Sequence, residues 1–218
     1  MAGFSMRSFL WIYGIALSIL SAWLIAAESF DVGSVKLPDS QVTAVDLAKV
    51  RDKTLRAAQI GLVRGDLWTK LAYTDAYLVW NKSADLRKIN QAKQNLERSV
   101  KLMPANPGAW LLLADLAAIY GWNSPKAEAS LVMSYYTGAH EQSLVPLRLA
   151  VASRLDVTSD PELGRLFKQE IDDILIYETG LKSAVAQAYV TATPHAREVI
   201  MNAAKDLAPD FAKTLLTH

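Results

Sequence analysis

The side chains best suited to chemistry are three histidines and one run of carboxylates. His140, His195 and His218 would supply general acid–base or metal-binding groups. None has a second ligand at metal spacing or a nucleophile close by in the sequence, so neither a metal site nor a catalytic role is expected of them. The segment KQEIDDILIYE holds Glu170, Asp172, Asp173 and Glu178. On a helix Glu170 and Asp173 are i, i+3 neighbours, the spacing at which two carboxylates can divide acid and base work. No aromatic-lined cleft motif or glycine-rich loop accompanies them, and the plainer reading is a solvated helix face. Neither G-x-x-x-x-G-K-[ST] nor G-x-G-x-x-G after a strand occurs. The chain therefore reads as a non-enzyme without cofactor or small-molecule substrate.

The elements that must carry these residues are helical. Alanine and leucine dominate the 218 residues, and Asn-Gly-type turns are scarce. A net charge of +1 gives no global pull toward nucleic acid. The absence of cysteine excludes disulfides and thiolate-ligated zinc, and it assigns no redox compartment. Charge is distributed unevenly along the chain. Between Val42 and Lys101 twelve Lys or Arg face six Asp or Glu, whereas between Asp156 and Glu178 the numbers are two and seven. Such an asymmetry could steer a charged partner or promote head-to-tail contacts, and ordinary surface solubility accounts for it nearly as well.

Ser8 to Ala27, SFLWIYGIALSILSAWLIAA, contains no charge. At about 1.5 Å per residue it spans about 30 Å, the thickness of a bilayer's hydrocarbon core. Trp11, Tyr13 and Trp23 lie toward its two ends, where amphipathic rings prefer the interface. Arg7 precedes the span and Glu28 and Asp31 follow it, which by the positive-inside rule puts the N-terminus in the cytoplasm. The rivals are a cleaved signal peptide and a buried soluble helix. Against cleavage stand the length of the apolar run and bulky Ile25 three residues before the best site, after Ala27.

Beyond the anchor, a spacing recurs. Ala92, Leu96 and Ser99 precede Pro104, so small residues flank a leucine on one helical face before proline stops the helix. Ala127, Leu131 and Ser134 come 35 residues on, Leu163, Phe167 and Glu170 36 later, and Ala196, Ile200 and Ala203 after 33 more. Before each recurrence lies an amphipathic helix: Trp110 to Tyr120, Leu147 to Leu155, and Leu181 to Tyr189. Trp68, Leu71 and Ala72 stand in the same relation as Trp110, Leu113 and Ala114. Ser40 to Val63 reads as a long covering helix with Val45, Leu47, Leu55, Ala58 and Leu62 on its apolar stripe, entered at Asp39 or Ser40. Pro161 and Pro194 suit first helical turns after Asp160 and Thr193, and APDFAKTLLTH reads as a terminal cap.

A period near 34 residues with this pattern resembles the tetratricopeptide repeat family. Trp110, Leu113, Ala114 and Gly121 match the family's first-helix positions, while Ala117 stands where a tyrosine is usual. The hairpin beginning at Trp68 carries about eight extra residues, NKSADLRK. The likeness covers Trp68 to Ala139 well and thins beyond, so the repeat is degenerate. The resemblance implies an α-α hairpin solenoid, and with the anchor read from residues 8–27 the expected fold is all-α: a single N-terminal transmembrane helix followed by that solenoid. The expected boundaries are a cytoplasmic N-terminus at 1–7, the anchor at 8–27, a linker at 28–39 and the repeat domain at 40–218. It further implies a concave, protein-binding face formed by Thr69, Tyr73 and Tyr77, by Leu111 and Asp115, by Arg148, and by Lys182 and Tyr189.

The function expected on these grounds is a scaffold that docks protein partners at the cell envelope. It would be single-pass in a bacterial inner membrane with a periplasmic C-terminal domain. The alternative is a non-catalytic subunit of an envelope polysaccharide synthesis or export system, or of another membrane complex. Gly14, Ser18 and Ser21–Ala22 would let the anchor pack closely against other membrane helices in such an assembly.

Overall fold

The computed structural model describes residues 6–29, 44–81, 86–121 and 124–216. The helix start expected at Asp39 or Ser40, most of the linker, the side chains of Val45 and Leu47, and His218 lie outside the described residues. No strand occurs among the described residues, and successive helices pack against one another as hairpins. The chain divides into two compact units, Met1–Met103 and Pro104–His218.

The first unit holds α1 (Met6–Ser29), α2 (Ala44–Ile60), α3 (Gly65–Asn81) and α4 (Leu86–Leu102), each packed on the next except that α1 packs on α2 by its C-terminal end. On α4, Ala92, Leu96 and Ser99 are fully buried, as are Leu71 and Ala72 of α3, the helix on which α4 packs. The small members matter because they let backbones approach. A Cβ on Gly65 would lie 2.6 Å from the Cβ of Met103, and the Ser99 hydroxyl donates to the Gly65 carbonyl at 3.1 Å. Ala58 of α2 is buried as its place on the apolar stripe predicts. Leu62 departs from expectation. α2 ends at Ile60, and Leu62 lies in the following turn, 51% exposed.

The second unit holds α5 (Pro107–Tyr120), α6 (Ser124–Thr137), α7 (Val145–Ala152), α8 (Pro161–Ile176), α9 (Lys182–Thr191), α10 (Pro194–Leu207) and α11 (Pro209–Leu215). Their starts are chemically specified. Asn106, Asp160 and Thr193 each accept from backbone N–H groups of the following turn, and a proline occupies the next position in all three. Gly121 ends α5 in the left-handed region, φ 66°, and its N–H bonds back to the Ala117 carbonyl. Within this unit α5, α7 and α9 form one layer, each touching the next, and α6, α8 and α10 form a second. The recurrent triads are the seam. Ala127, Leu131 and Ser134, Leu163 and Phe167, and Ala196, Ile200 and Ala203 are all buried. The helices begin or end a few residues away from the sequence pattern, most clearly at the end of α7. α7 ends at Ala152 rather than Leu155, and Leu155 is buried without being helical. The Ser153 carbonyl accepts from the Thr193 N–H at 2.8 Å, a long-range bond that local spacing does not encode.

Candidate functional site

Two places concentrate unusual physical chemistry, one in each unit. The first is the foot of α1. From Phe9 to Ala22 every residue is exposed, including Trp11 at 75%, Ile19 at 65% and Leu10 at 59%. Phe9–Ser29 is long and apolar enough to cross a membrane. The end of the same helix is held by the unit. Ala27 is buried in one cluster with Ala57, Ala58, Leu67, Trp68 and Leu71. The Trp23 Nε1 donates to the Ile60 carbonyl at 2.7 Å, and Arg64 bridges Glu28 at 2.5 Å and Asp66 at 2.6 Å. Hydrogen bonds to both carboxylates hold the Arg64 guanidinium firmly charged.

The second is a cleft of about 420 Å³ in the second unit, lined among others by Tyr135, His140, Glu170, Asp173, Tyr177 and Glu178. It is built on Arg148, whose side chain is wholly buried. Arg148 Nη2 donates to the Ser134 and Gly138 carbonyls at 2.7 Å each, adding a second donor to two carbonyls that already accept the Gly138 and Glu141 backbone N–H groups. Its Nη1 lies 3.8 Å from Glu170 Oε1, and its guanidinium stands 5.1 Å from the Tyr135 ring centre. Tyr135 completes the group by donating to Glu170 Oε2 at 2.8 Å. Burial pushes the Glu170 carboxyl up to about 7; the Tyr135 hydroxyl and Arg148 pull it down, and Glu178 adds to the rise. Burial likewise pushes the Tyr135 phenol well up, reinforced by the neighbouring carboxylate. Glu178 accepts from Gln142 Nε2 at 3.0 Å across the mouth.

The cleft therefore offers carboxylates and aromatic edges over a buried cation. Such walls suit a cationic side chain of limited size, with Tyr177, 78% exposed, available to lie against it. Glu170 and Asp173, one turn apart, do meet in this cleft, but they differ in setting: Glu170 is committed to Tyr135 and Arg148, and Asp173 is exposed. His140 lines the same cleft, and His195 sits exposed in the first turn of α10. Among the described residues no group of three or more His, Cys, Asp or Glu is placed to hold a metal ion.

The eight positions expected on one concave face are unequally accessible. Thr69, Leu111, Asp115 and Arg148 are buried, and Tyr73, Tyr77, Lys182 and Tyr189 are half-buried. Thr69 shares a hydrogen bond with Ser99. Leu111 belongs to the core of the second unit. Asp115 pairs with Arg154, though burial outweighs that partner and raises its carboxyl above the usual range. The four buried positions are thus held inside their units, whereas Tyr73, Tyr77, Lys182 and Tyr189 keep part of their surface open. Tyr135 and Tyr177, which line the cleft, carry no local signature; Tyr135 meets its partner 35 residues away. No protein family, curated protein or solved structure matches this chain.

Proposed function

We propose that this chain is a membrane-anchored helical docking module, similar in packing to tetratricopeptide repeats, that holds a protein partner at a bacterial inner membrane. The observation that carries this reading is the contrast within α1: exposed on every side from Phe9 to Ala22, yet buried at Ala27 in the first unit. An apolar surface that extensive needs a bilayer around it, and the fixed foot keeps the hairpins beside the membrane. Two further features support the docking role. The layered packing of α5 to α10 follows the hairpin-repeat scheme, and the acidic, tyrosine-edged cleft suits a lysine or arginine from a partner's segment. The charge placement in the sequence, Arg7 before the span and Glu28 after it, supports a periplasmic location for the hairpins.

Crosslinking in intact membranes followed by mass spectrometry tests this. Wild-type chain is expected to capture a defined partner, and Asp173→Lys with Glu178→Lys to lose it while remaining membrane-bound. Capture of the same partner at the same yield by the double variant would defeat the cleft as its docking place.

A further inference from the structure

The anchor and α2 run alongside each other in opposite directions. Ala27 shares a buried cluster with Ala57 and Ala58, and four residues deeper in the span Trp23 meets the carbonyl of Ile60. α2 thus descends along the anchor, and α3 leaves from the turn 61–64. Trp23 lies four residues before Ala27, the last residue of the uncharged span, which at ~1.5 Å per residue is about 6 Å inside it. The turn therefore starts at the depth of Trp23, and its last residue, Arg64, is back at Glu28 on the polar side. The residues between are Gly61, Leu62 and Val63. Leu62 is 51% exposed and Val63 64%, the two largest apolar side chains of the turn. They have no place in the cluster that buries Leu67 and Trp68. In water such a tip would be a liability; beside the emerging anchor it continues the anchor's own lipid-facing surface. Arg56, exposed one turn before Ile60, is placed for its stem to lie along the interface and its guanidinium to reach lipid phosphates.

We infer that the α2–α3 turn is a second membrane contact, with Leu62 and Val63 inserted into the interfacial layer of the bilayer beside the anchor. This rests on the anchor spanning the bilayer. It makes the first unit a body seated on the membrane at two points rather than one hanging from a flexible tether.

Because the chain has no cysteine, single labels can be placed at will. The full chain would be reconstituted in vesicles of phosphatidylcholine and phosphatidylglycerol, with an environment-sensitive fluorophore on Leu62→Cys or Val63→Cys. Leu17→Cys serves as the mid-anchor reference and Leu216→Cys, 70% exposed in the wild type, as the aqueous one. Lipids carrying nitroxides near the headgroup are expected to quench the labels at 62 and 63 several-fold more than the label at 216. Nitroxides deep in the acyl chains should quench the label at 17 most. If the label at 17 is quenched and those at 62 and 63 behave like the one at 216, the inference falls and the anchor stands. Labels at 62 and 63 that are shielded from water yet unquenched by lipid mean a protein covers the turn, which also overturns it. Failure to quench the label at 17 overturns both.

Discussion

The Ile60 carbonyl, last in α2, has no helical partner of its own and takes the Trp23 indole N–H at 2.7 Å. One hydrogen bond thus joins the end of a soluble helix to a residue of the apolar span. Trp23→Phe keeps the ring and removes the donor. It is expected to destabilise the first unit by about 1 kcal/mol, the usual net value of such a bond. Denaturant unfolding of the full chain in nanodiscs checks this; an unchanged midpoint would mean that water or lipid replaces the indole without loss.

Arg148 is the most consequential side chain in the second unit. It is wholly buried and holds two carbonyls at the end of α6 as well as facing Glu170. Arg148→Met is expected to destabilise by about 3–5 kcal/mol, because the buried Glu170 loses its cation while two carbonyls each lose one of their two donors. Arg148→Lys should recover only part, since one ammonium cannot reproduce the planar fork. Adding Glu170→Gln to Arg148→Met should lose less than the sum of the two single changes, as coupled neighbours do. Additive losses in urea denaturation would contradict the network.

Glu170 gives the second unit a pH dependence of definite sign. Its folded pKa, about 7, lies above its ordinary 4.5, so the folded state favours the protonated acid. Its contribution is fully present below about 4.5 and is lost as pH rises to about 7. Asp115 of the same unit, also raised by burial, acts in the same direction, as does Asp75 within the first unit. Stability is expected to fall on the order of 1–3 kcal/mol between pH 5 and pH 8 through Glu170. Glu170→Gln should flatten that slope. A wild-type protein that gains stability over the same interval would refute the assignment.

Two glycines serve different needs, and alanine should distinguish them. At Gly164 a Cβ would come within 2.7 Å of the Val157 carbonyl oxygen, a backbone atom that cannot swing aside. Gly164→Ala is expected to destabilise by about 1–3 kcal/mol through overpacking. At Gly121 nothing lies within 4 Å, and the requirement is the positive φ alone. Gly121→Ala should lose about 1–2 kcal/mol, with Gly121→Asn milder because asparagine tolerates that region better. Thermal unfolding of the four proteins decides between space and backbone.

The helical periodicity made most of the fold legible. Residues three and four apart must share a face, and the triads Ala92–Leu96–Ser99, Ala127–Leu131–Ser134 and Ala196–Ile200–Ala203 are buried as their spacing requires. Caps were equally readable, since Asp160 and Thr193 act within a few residues of themselves. Placement of the charged side chains was not. Arg148 and Asp115 look like surface residues in any local window, and they are buried because Glu170 arrives from α8 and Arg154 from the turn after α7. Leu62 failed for a related reason: the stripe of α2 predicts burial, but the helix stops at Ile60 and the turn carries Leu62 outward. The cleft gathers residues from α6, α7, α8 and the intervening loop, a convergence that no single segment spells out.

The most direct test of the central claim, an anchor in the bilayer with the hairpins on the periplasmic side, is cysteine accessibility in cells. Leu17→Cys and Leu216→Cys would be exposed to a membrane-impermeant maleimide after permeabilising only the outer membrane. The account predicts that Leu216→Cys is labelled at once and Leu17→Cys only after detergent. Labelling of Leu17→Cys without detergent, or of Leu216→Cys only once the inner membrane is breached, would contradict it.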